Sequence, residues 1–544
     1  MGVLVRQSVT RGVTRMGGLW SGNRGRSWLW LAVGAMLLPF TVFQTVVALA
    51  AWLAPLFLLR FSRTQRARVA LPVLALVHYL ASLVSFRGGL LPEDLIAFYA
   101  LGGVLGIVPY VADTVLRQRI SGWVLTLVFP ATAVALDWAL GLSSLGTLGS
   151  VAYSQFGYLS LTQLASVTGI WGITFLIMWL APVSNAIWEH GFDWRADHLS
   201  VIPFAAALLL TLLLGEVRLA FFSPNVLTVR VAALAADRAL SQGLSVSAGA
   251  ALATGDSQTR AAARRQFGPI VDDLMARTRT EAQAGARIVS WSESAAAVLK
   301  EDEAALITRA EVLAREEGIY LQLGLTVHLR TEQYPFAENR AILIDPSGKV
   351  VQDYFKAVHP LGDADLFAPG PAVVPTTDTP YGRLATVICF DADFPALVRQ
   401  AGTARADILL APSNDWRPVD TIHARAATFR AVENGVALVR PTGNGISVAV
   451  DHLGQSLATA NYFTTPALTM VADVPTRGVA TIYARIGDVF AYLCLAVLVL
   501  LCAAALVRGR IREPVKGARR SQVNRPRTGR GVKGEAGIPD LDLR

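Results

Sequence analysis

The sequence is poor in charge, in cysteine and in lysine, and each shortage excludes something. Only 16% of its 544 residues are charged while 53% are hydrophobic. An ordinary soluble domain carries about a quarter charged residues, so a disordered chain and a plain cytosolic enzyme are both excluded. The three cysteines are Cys389, Cys494 and Cys502, and no CxxC, HExxH or Cys/His cluster occurs. No metal centre and no cofactor are therefore expected. Cys494 and Cys502 sit in the apolar run Val489–Val507, which leaves Cys389 without a disulfide partner.

Basic charge is abundant but confined. Residues 1–27 hold five arginines and no acid, and residues 508–544 hold eleven bases against four acids. The net charge of +9 thus belongs to the two ends, and the body between them is slightly acidic. That distribution excludes a nucleic-acid binder and suits basic segments flanking membrane helices.

Long apolar runs are plentiful. A span needs about 20 apolar residues. Trp28–Leu59 is too long for one helix, and Pro39 divides it into Trp28–Phe40 and Thr41–Leu59. Further spans are expected at Val69–Phe86, Leu95–Leu116, Ile120–Leu140, Leu164–Trp188, Ser200–Phe222 and the C-terminal run, about eight in all. A signal peptide at Trp28–Phe40 fits less well, because no small-residue cleavage site follows. Eight spans put four basic segments inside: the N-terminus, Arg60–Arg68, Arg117–Arg119 and the tail from Arg508. The loops with Glu93 and Asp94 and at Gly141–Thr162 then lie outside, and so does Ser223–Ile486.

Ser223–Ile486 alternates strand-like and helix-like runs, the pattern of an α/β domain. Strands are predicted at Val226–Leu234, Ala286–Trp291, Tyr320–Val327, Arg340–Asp345, Val350–Phe355 and Leu384–Ile388. More follow at Asp407–Ala411, Val436–Arg440 and Ile446–Asp451. Helices are predicted at Thr259–Ala284, at Glu303–Glu317 with Gly318 as its stop, and at Thr421–Asn434 with Gly435 as its stop. The whole chain divides into a basic cytoplasmic end (1–27), a membrane domain (28–222), an α/β domain (223–486), a last span (487–507) and a basic, disordered tail (508–544).

Three reactive side chains fall at strand ends, where α/β sites form. Glu293 follows the strand ending at Trp291, Lys356 follows Val350–Phe355, and Cys389 closes Leu384–Ile388. Together they can supply a base, an oxyanion stabiliser and a nucleophile. Each has an ordinary alternative: a small buried thiol, a solvated loop carboxylate, a surface amine. The lysine is the most informative, because the chain holds 44 arginines and only five lysines.

Phe429–Asp451 (FRAVENGVALVRPTGNGISVAVD), Cys389–Pro395 (CFDADFP), Ala411–Trp416 (APSNDW), Thr481–Val489 (TIYARIGDV) and Tyr153–Phe175 carry a resemblance. On these stretches, in order over residues 28–507, the chain resembles the apolipoprotein N-acyltransferases, the membrane-embedded branch of the nitrilase superfamily. The resemblance implies a polytopic helical domain joined to an extracytoplasmic α/β nitrilase-like αββα sandwich in a bacterial cell membrane. It implies a Glu293–Lys356–Cys389 triad, with Asp363, Phe390 and Asp391 supporting it. It also implies acyl transfer from a membrane phospholipid to diacylglyceryl apolipoproteins through a cysteine thioester. The sequence departs from the family at Ser292 (where the family has proline), in a loop after Lys356 one residue short and ending in Asp363, and at Phe390 and Asp391. It departs too in the strand ending Ala232–Asp237. Leu366, Phe367, Val373 and Val374 are expected to form a mobile lip. A membrane-tethered nitrilase-type amidase, or an acyltransferase with another acceptor, is the alternative, and an inactive descendant the third reading.

Overall fold

The computed structural model describes residues 23–87, 96–222, 227–241, 249–360, 363–464 and 469–511. The expectations for the N-terminal basic segment up to residue 22, for Glu93 and Asp94, and for the tail from residue 512 lie outside them. Helices occur at all eight expected span positions, with shifted bounds. Among the described residues, six helices are long and apolar enough to cross a membrane: Ala67–Ser85, Tyr99–Leu116, Trp123–Gly141, Ile170–Glu189, Trp194–Phe221 and Val489–Val507. The first two helices, Asn23–Leu37 and Ala48–Thr64, have 15 and 17 residues. Pro39 lies in a short 3-10 turn, Leu38–Phe40, so the break occurs where expected but the second helix starts seven residues later. A count of eight spans is therefore not established.

The extramembrane domain is built from two mixed sheets. The first contains β1 (Thr228–Leu234), β2 (Ile288–Trp291), β3 (Ala296–Leu299), β4 (Tyr320–His328), β5 (Ala337–Ile344) and β6 (Val350–Phe355). The second contains β7 (Thr376–Thr379), β8 (Gly382–Thr386), β9 (Ile408–Leu410), β11 (Ala437–Arg440), β13 (Ile446–Val450) and β14 (Ser456–Asn461); β10 (Ser413–Asn414) and β12 (Thr442–Gly443) form a small ladder beside it. The last strand, β15 (Thr469–Pro475), returns to the first sheet beside β1. Sheet orders are β15-β1-β2-β4-β5-β6, with β3 on β4, and β14-β13-β11-β9-β8-β7. Each has a parallel centre, β1-β2-β4 or β8-β9-β11, flanked by antiparallel strands. Parallel neighbours need helical crossovers, and these cover the outer faces.

Alternation assigns the layers. Along β1, Val231 and Ala233 face the second sheet, packing with Ile288, Leu384, Leu410 and Val439, while Ala232 and Leu234 face the helices. Helices Ser257–Gln283 and Glu303–Glu317 cover the first sheet through Leu274, Met275, Leu306 and Leu313. Helices Pro395–Thr403 and Asp420–Asn434 cover the second through Leu397, Val398, Ala427 and Ala431. This is the expected αββα sandwich. Gly318 and Gly435 end their helices in the left-handed conformation, as read from the sequence.

The helix Asp420–Asn434 is buried on two sides. Ala424, Ala427 and Ala431 face the second sheet, while Ile422, Ala426, Phe429 and Val432 pack on Tyr153, Ile170 and Trp171 of the membrane half. Polar groups fix this seam. Glu433 Oε1 accepts from the Ile170 N–H at 2.9 Å, and Arg430 donates to the Tyr153 hydroxyl at 3.2 Å and to Glu433 at 3.1 Å. Thr147 donates from its N–H and its hydroxyl to the Asp393 carbonyl, at 2.9 and 2.8 Å. Gly146, at φ +59°, lies so near that a Cβ there would sit 2.9 Å from that oxygen. The bundle thus touches the turn that begins at Cys389.

Candidate active site

Two corrections to the sequence reading locate the thiol. The strand before Cys389 ends at Thr386, two residues early, and Cys389 opens a 3-10 turn, Cys389–Asp393. Its φ is +48°, a conformation that L-residues adopt at a cost of about 1–2 kcal/mol. The turn is held by Asp391, whose carboxylate accepts from the N–H groups of Ile388, Ala357 and Val358 and from the Tyr354 hydroxyl, at 2.8 to 3.1 Å. One side chain thereby fixes the thiol's turn to the segment after Lys356. Burial pushes the Asp391 carboxyl up to about 6.

Glu293 and Lys356 follow β2 and β6 of the first sheet, Cys389 follows β8 of the second, and the three converge between the sheets. All three are buried, with 5, 2 and 6% of their surface exposed. Lys356 Nζ donates to Glu293 Oε1 at 2.7 Å, Asn339 Nδ2 donates to the same oxygen at 2.7 Å, and the Asn414 N–H donates to Oε2 at 2.8 Å. Every partner of the carboxylate is thus a donor. Ser292 explains its own departure: its N–H donates to the Leu234 carbonyl at 2.8 Å, a bond that proline could not make. The Cys389 thiol faces the Asn414 carbonyl at 3.7 Å and Asp415 Oδ1 at 3.9 Å.

Electrostatics separate the roles. Burial pushes the Cys389 thiol well up; Glu293 adds to this and Lys356 opposes it. Burial works against the Lys356 ammonium, but Glu293, Cys389 and Asp363 outweigh it and hold it above the ordinary lysine range. The site therefore contains a protonated thiol and a fixed cation, and a nucleophile of that kind needs a base at the moment of attack. Asp363 lies 3.9 Å from Lys356 Nζ, and burial raises its carboxyl against the pull of that ammonium. Phe390 is 2% exposed and packs edge-on against Phe394. Of the expected lip, Leu366, Phe367 and Val374 are buried, with Phe367 stacked on His359; only Val373 is exposed. Three of the four are ordinary packing.

A buried polar group behind the thiol escaped the sequence reading. Asp415 accepts two parallel bonds from Arg440, at 2.8 and 3.0 Å, and lies 2.9 Å from His423 Nδ1. The other ring nitrogen of His423 faces Asp393 at 3.7 Å. Burial raises the Asp415 carboxyl, but Arg440 and His423 outweigh it and hold it below the usual carboxylate range. The signal was available: Arg440 ends the apolar run Val436–Val439, and a charge in such a strand needs a buried partner. Asn339 gave no comparable signal. Cys389, Asp415 and His423 offer donor atoms within 4.8 Å of one another, the spacing of a metal site. Asp415 and His423 are committed to each other, and the Arg440 cation already occupies the carboxylate.

Comparison with known proteins agrees in both halves. The apolipoprotein N-acyltransferase N-terminal domain model matches residues 32–183, and the carbon-nitrogen hydrolase model matches residues 258–484. The chain is 29% identical to apolipoprotein N-acyltransferase of Geobacter metallireducens, over 73% of this chain and 77% of that protein. In both halves the chain is similar to the apolipoprotein N-acyltransferases. It is also 27% identical to apolipoprotein N-acyltransferase 2 of Treponema pallidum, over 67% of this chain and 74% of that one. Among solved structures, an amidase from Nesterenkonia sp. aligns over 49% of this chain and 95% of its own, at 20% identity and a TM-score of 0.36.

Proposed function

We propose that this chain transfers an acyl chain from a membrane phospholipid to the N-terminal amine of diacylglyceryl-cysteine in apolipoproteins. The meeting of Glu293, Lys356 and Cys389 in one buried site, docked on a helix bundle, carries the reading. Glu293 takes the thiol proton as the sulfur attacks the ester carbonyl. The oxyanion that forms is held by Lys356 and by the N–H of Phe390, a contribution of about 3 kcal/mol per donor. The tetrahedral centre collapses, the thioester remains on Cys389, and Glu293 returns the proton to the departing lysophospholipid. The acceptor amine then attacks the thioester, Glu293 takes its proton, and the amide leaves as the thiol is regenerated. Asp363 steadies Lys356, and Asp391 holds the turn.

The two halves of this reaction are separable. Protein incubated with phospholipid alone should gain one acyl chain that neutral hydroxylamine removes, read by intact mass. Cys389→Ala should gain none, whereas Cys494→Ala and Cys502→Ala should behave as the parent. An acyl adduct on Cys389→Ala would defeat the reading. An amidase releasing the acyl group to water is the rival; the matched helix bundle weighs against it, because a hydrolase needs only an anchor.

The reading extends to topology: the catalytic domain, 223–486, stands on the outer face of a bacterial cell membrane and both termini are cytoplasmic. The basic segments at Arg60–Arg68 and Arg117–Arg119 support this. A reporter inserted near Gly454 should be active only if it works outside the cytoplasm. Activity of a strictly cytoplasmic reporter there would invert the topology.

A further inference from the structure

A cavity of about 1000 Å³ ends at Glu293 and Asn414. It is drawn from the extramembrane domain; among the described residues, none of the helix bundle lines it. Asn414 links it to the reacting centre, since its N–H binds Glu293 and its carbonyl faces the thiol. Any amine that attacks a thioester on Cys389 must bring its proton within reach of the Glu293 carboxylate. Whatever follows that amine in the acceptor needs a path outward, and this cavity is continuous with the carboxylate.

Size and charge narrow the occupant. The volume is at the top of the ~300–1,000 Å³ range of ligand pockets, far more than a lipid headgroup requires and ample for several residues of extended peptide. Alanines such as Ala239 and Ala262 keep the walls back, on the loop after β1 and on the helix Ser257–Gln283. Arg238 and Arg265 contribute positive charge, while Glu293 is the only acid among the lining residues. Arg238 is anchored to the Phe463 carbonyl at 2.9 Å. The neighbouring Asp237 caps the N–H groups of Ala239 and Leu240 and does not line the cavity.

We propose that this cavity holds the peptide stem of the acceptor, the residues that follow its lipidated cysteine, and favours acidic over basic side chains there. The inference rests on the acyl-transfer reading above. It is tested on the full-length protein in lipid-containing micelles, with phospholipid as donor and two acceptors: diacylglyceryl-cysteine amide alone, and the same group heading a hexapeptide. In Ala262→Trp, which narrows the cavity, KM for the hexapeptide should rise about tenfold while the bare acceptor stays within about twofold. A second, exposed change, Arg265→Glu, should reverse a preference for Asp-bearing over Lys-bearing hexapeptides. The rate of thioester formation on Cys389 is read beside both. Equal slowing of the two acceptors, or an unchanged charge preference, overturns the inference. Slowed thioester formation with normal transfer would assign the cavity to the phospholipid headgroup and overturn it as well. Absence of any thioester in the parent protein removes the acyl-transfer reading and this inference with it.

Discussion

Replacing Lys356 by arginine is expected to lower acyl transfer at least about a hundredfold, the scale of removing one oxyanion donor. The change preserves charge and suits a chain with 44 arginines and five lysines. If composition governed this position it would be silent. The site argues otherwise. Among the described lysines, Lys300 and Lys349 are exposed and only Lys356 is buried. Its Nζ lies 2.7 Å from Glu293 and 3.9 Å from Asp363, a compact ammonium in a closed space. A planar guanidinium is longer and cannot put a single donor at the same point, so the developing oxyanion loses its partner. Thermal unfolding must be measured beside activity, because a bulkier cation can also overpack the site. Near-normal turnover in Lys356→Arg would remove Lys356 from the mechanism. Lost turnover with an unchanged melting temperature is the expected result.

How much of this was readable from sequence differs by element. Periodic helices were the most legible: Glu303–Glu317 is observed at its expected bounds, and Asp420–Asn434 and Ser257–Gln283 within two residues. Apolar composition placed the membrane helices, but composition does not say where a helix begins. The run expected from Thr41 stays irregular until Ala48. Edge strands were missed. β7 alternates exposed and half-buried polar residues, β14 has no buried residue and no regular alternation, and both depend on their neighbours for definition. At the site, the three reactive residues were visible because each follows an apolar strand. What sequence could not give was that Asn339 meets Glu293 and that the partner of Arg440 is Asp415. Each lies on a strand whose partner side chain is 46 or 25 residues away. The turn at Cys389 was hidden too, because no glycine marks its positive φ.

Removing Arg440 should be the most destabilising single change near the site. Arg440 and Asp415 form a two-bonded pair with almost no exposed surface, and truncating one partner of such a pair costs about 3–5 kcal/mol because the other charge is stranded. Arg440→Met keeps much of the volume, so the loss should come from Asp415 more than from a void. The sign with pH is fixed by direction. Asp415 is held below its unfolded carboxylate range, so its stabilising contribution is present above that range and is lost as pH falls through its lowered folded value. The melting gap between parent and Arg440→Met should therefore be widest near neutrality and shrink on acidification. The thiol reports the same change. Burial and Glu293 already raise Cys389, and Arg440 is among the cations that oppose them. Alkylation of Cys389 by iodoacetamide, which requires the thiolate, should begin at a higher pH in Arg440→Met than in the parent. A variant that melts within about 1 kcal/mol of the parent at neutral pH, with an unmoved alkylation profile, would show that the pair holds neither the turn nor the thiol.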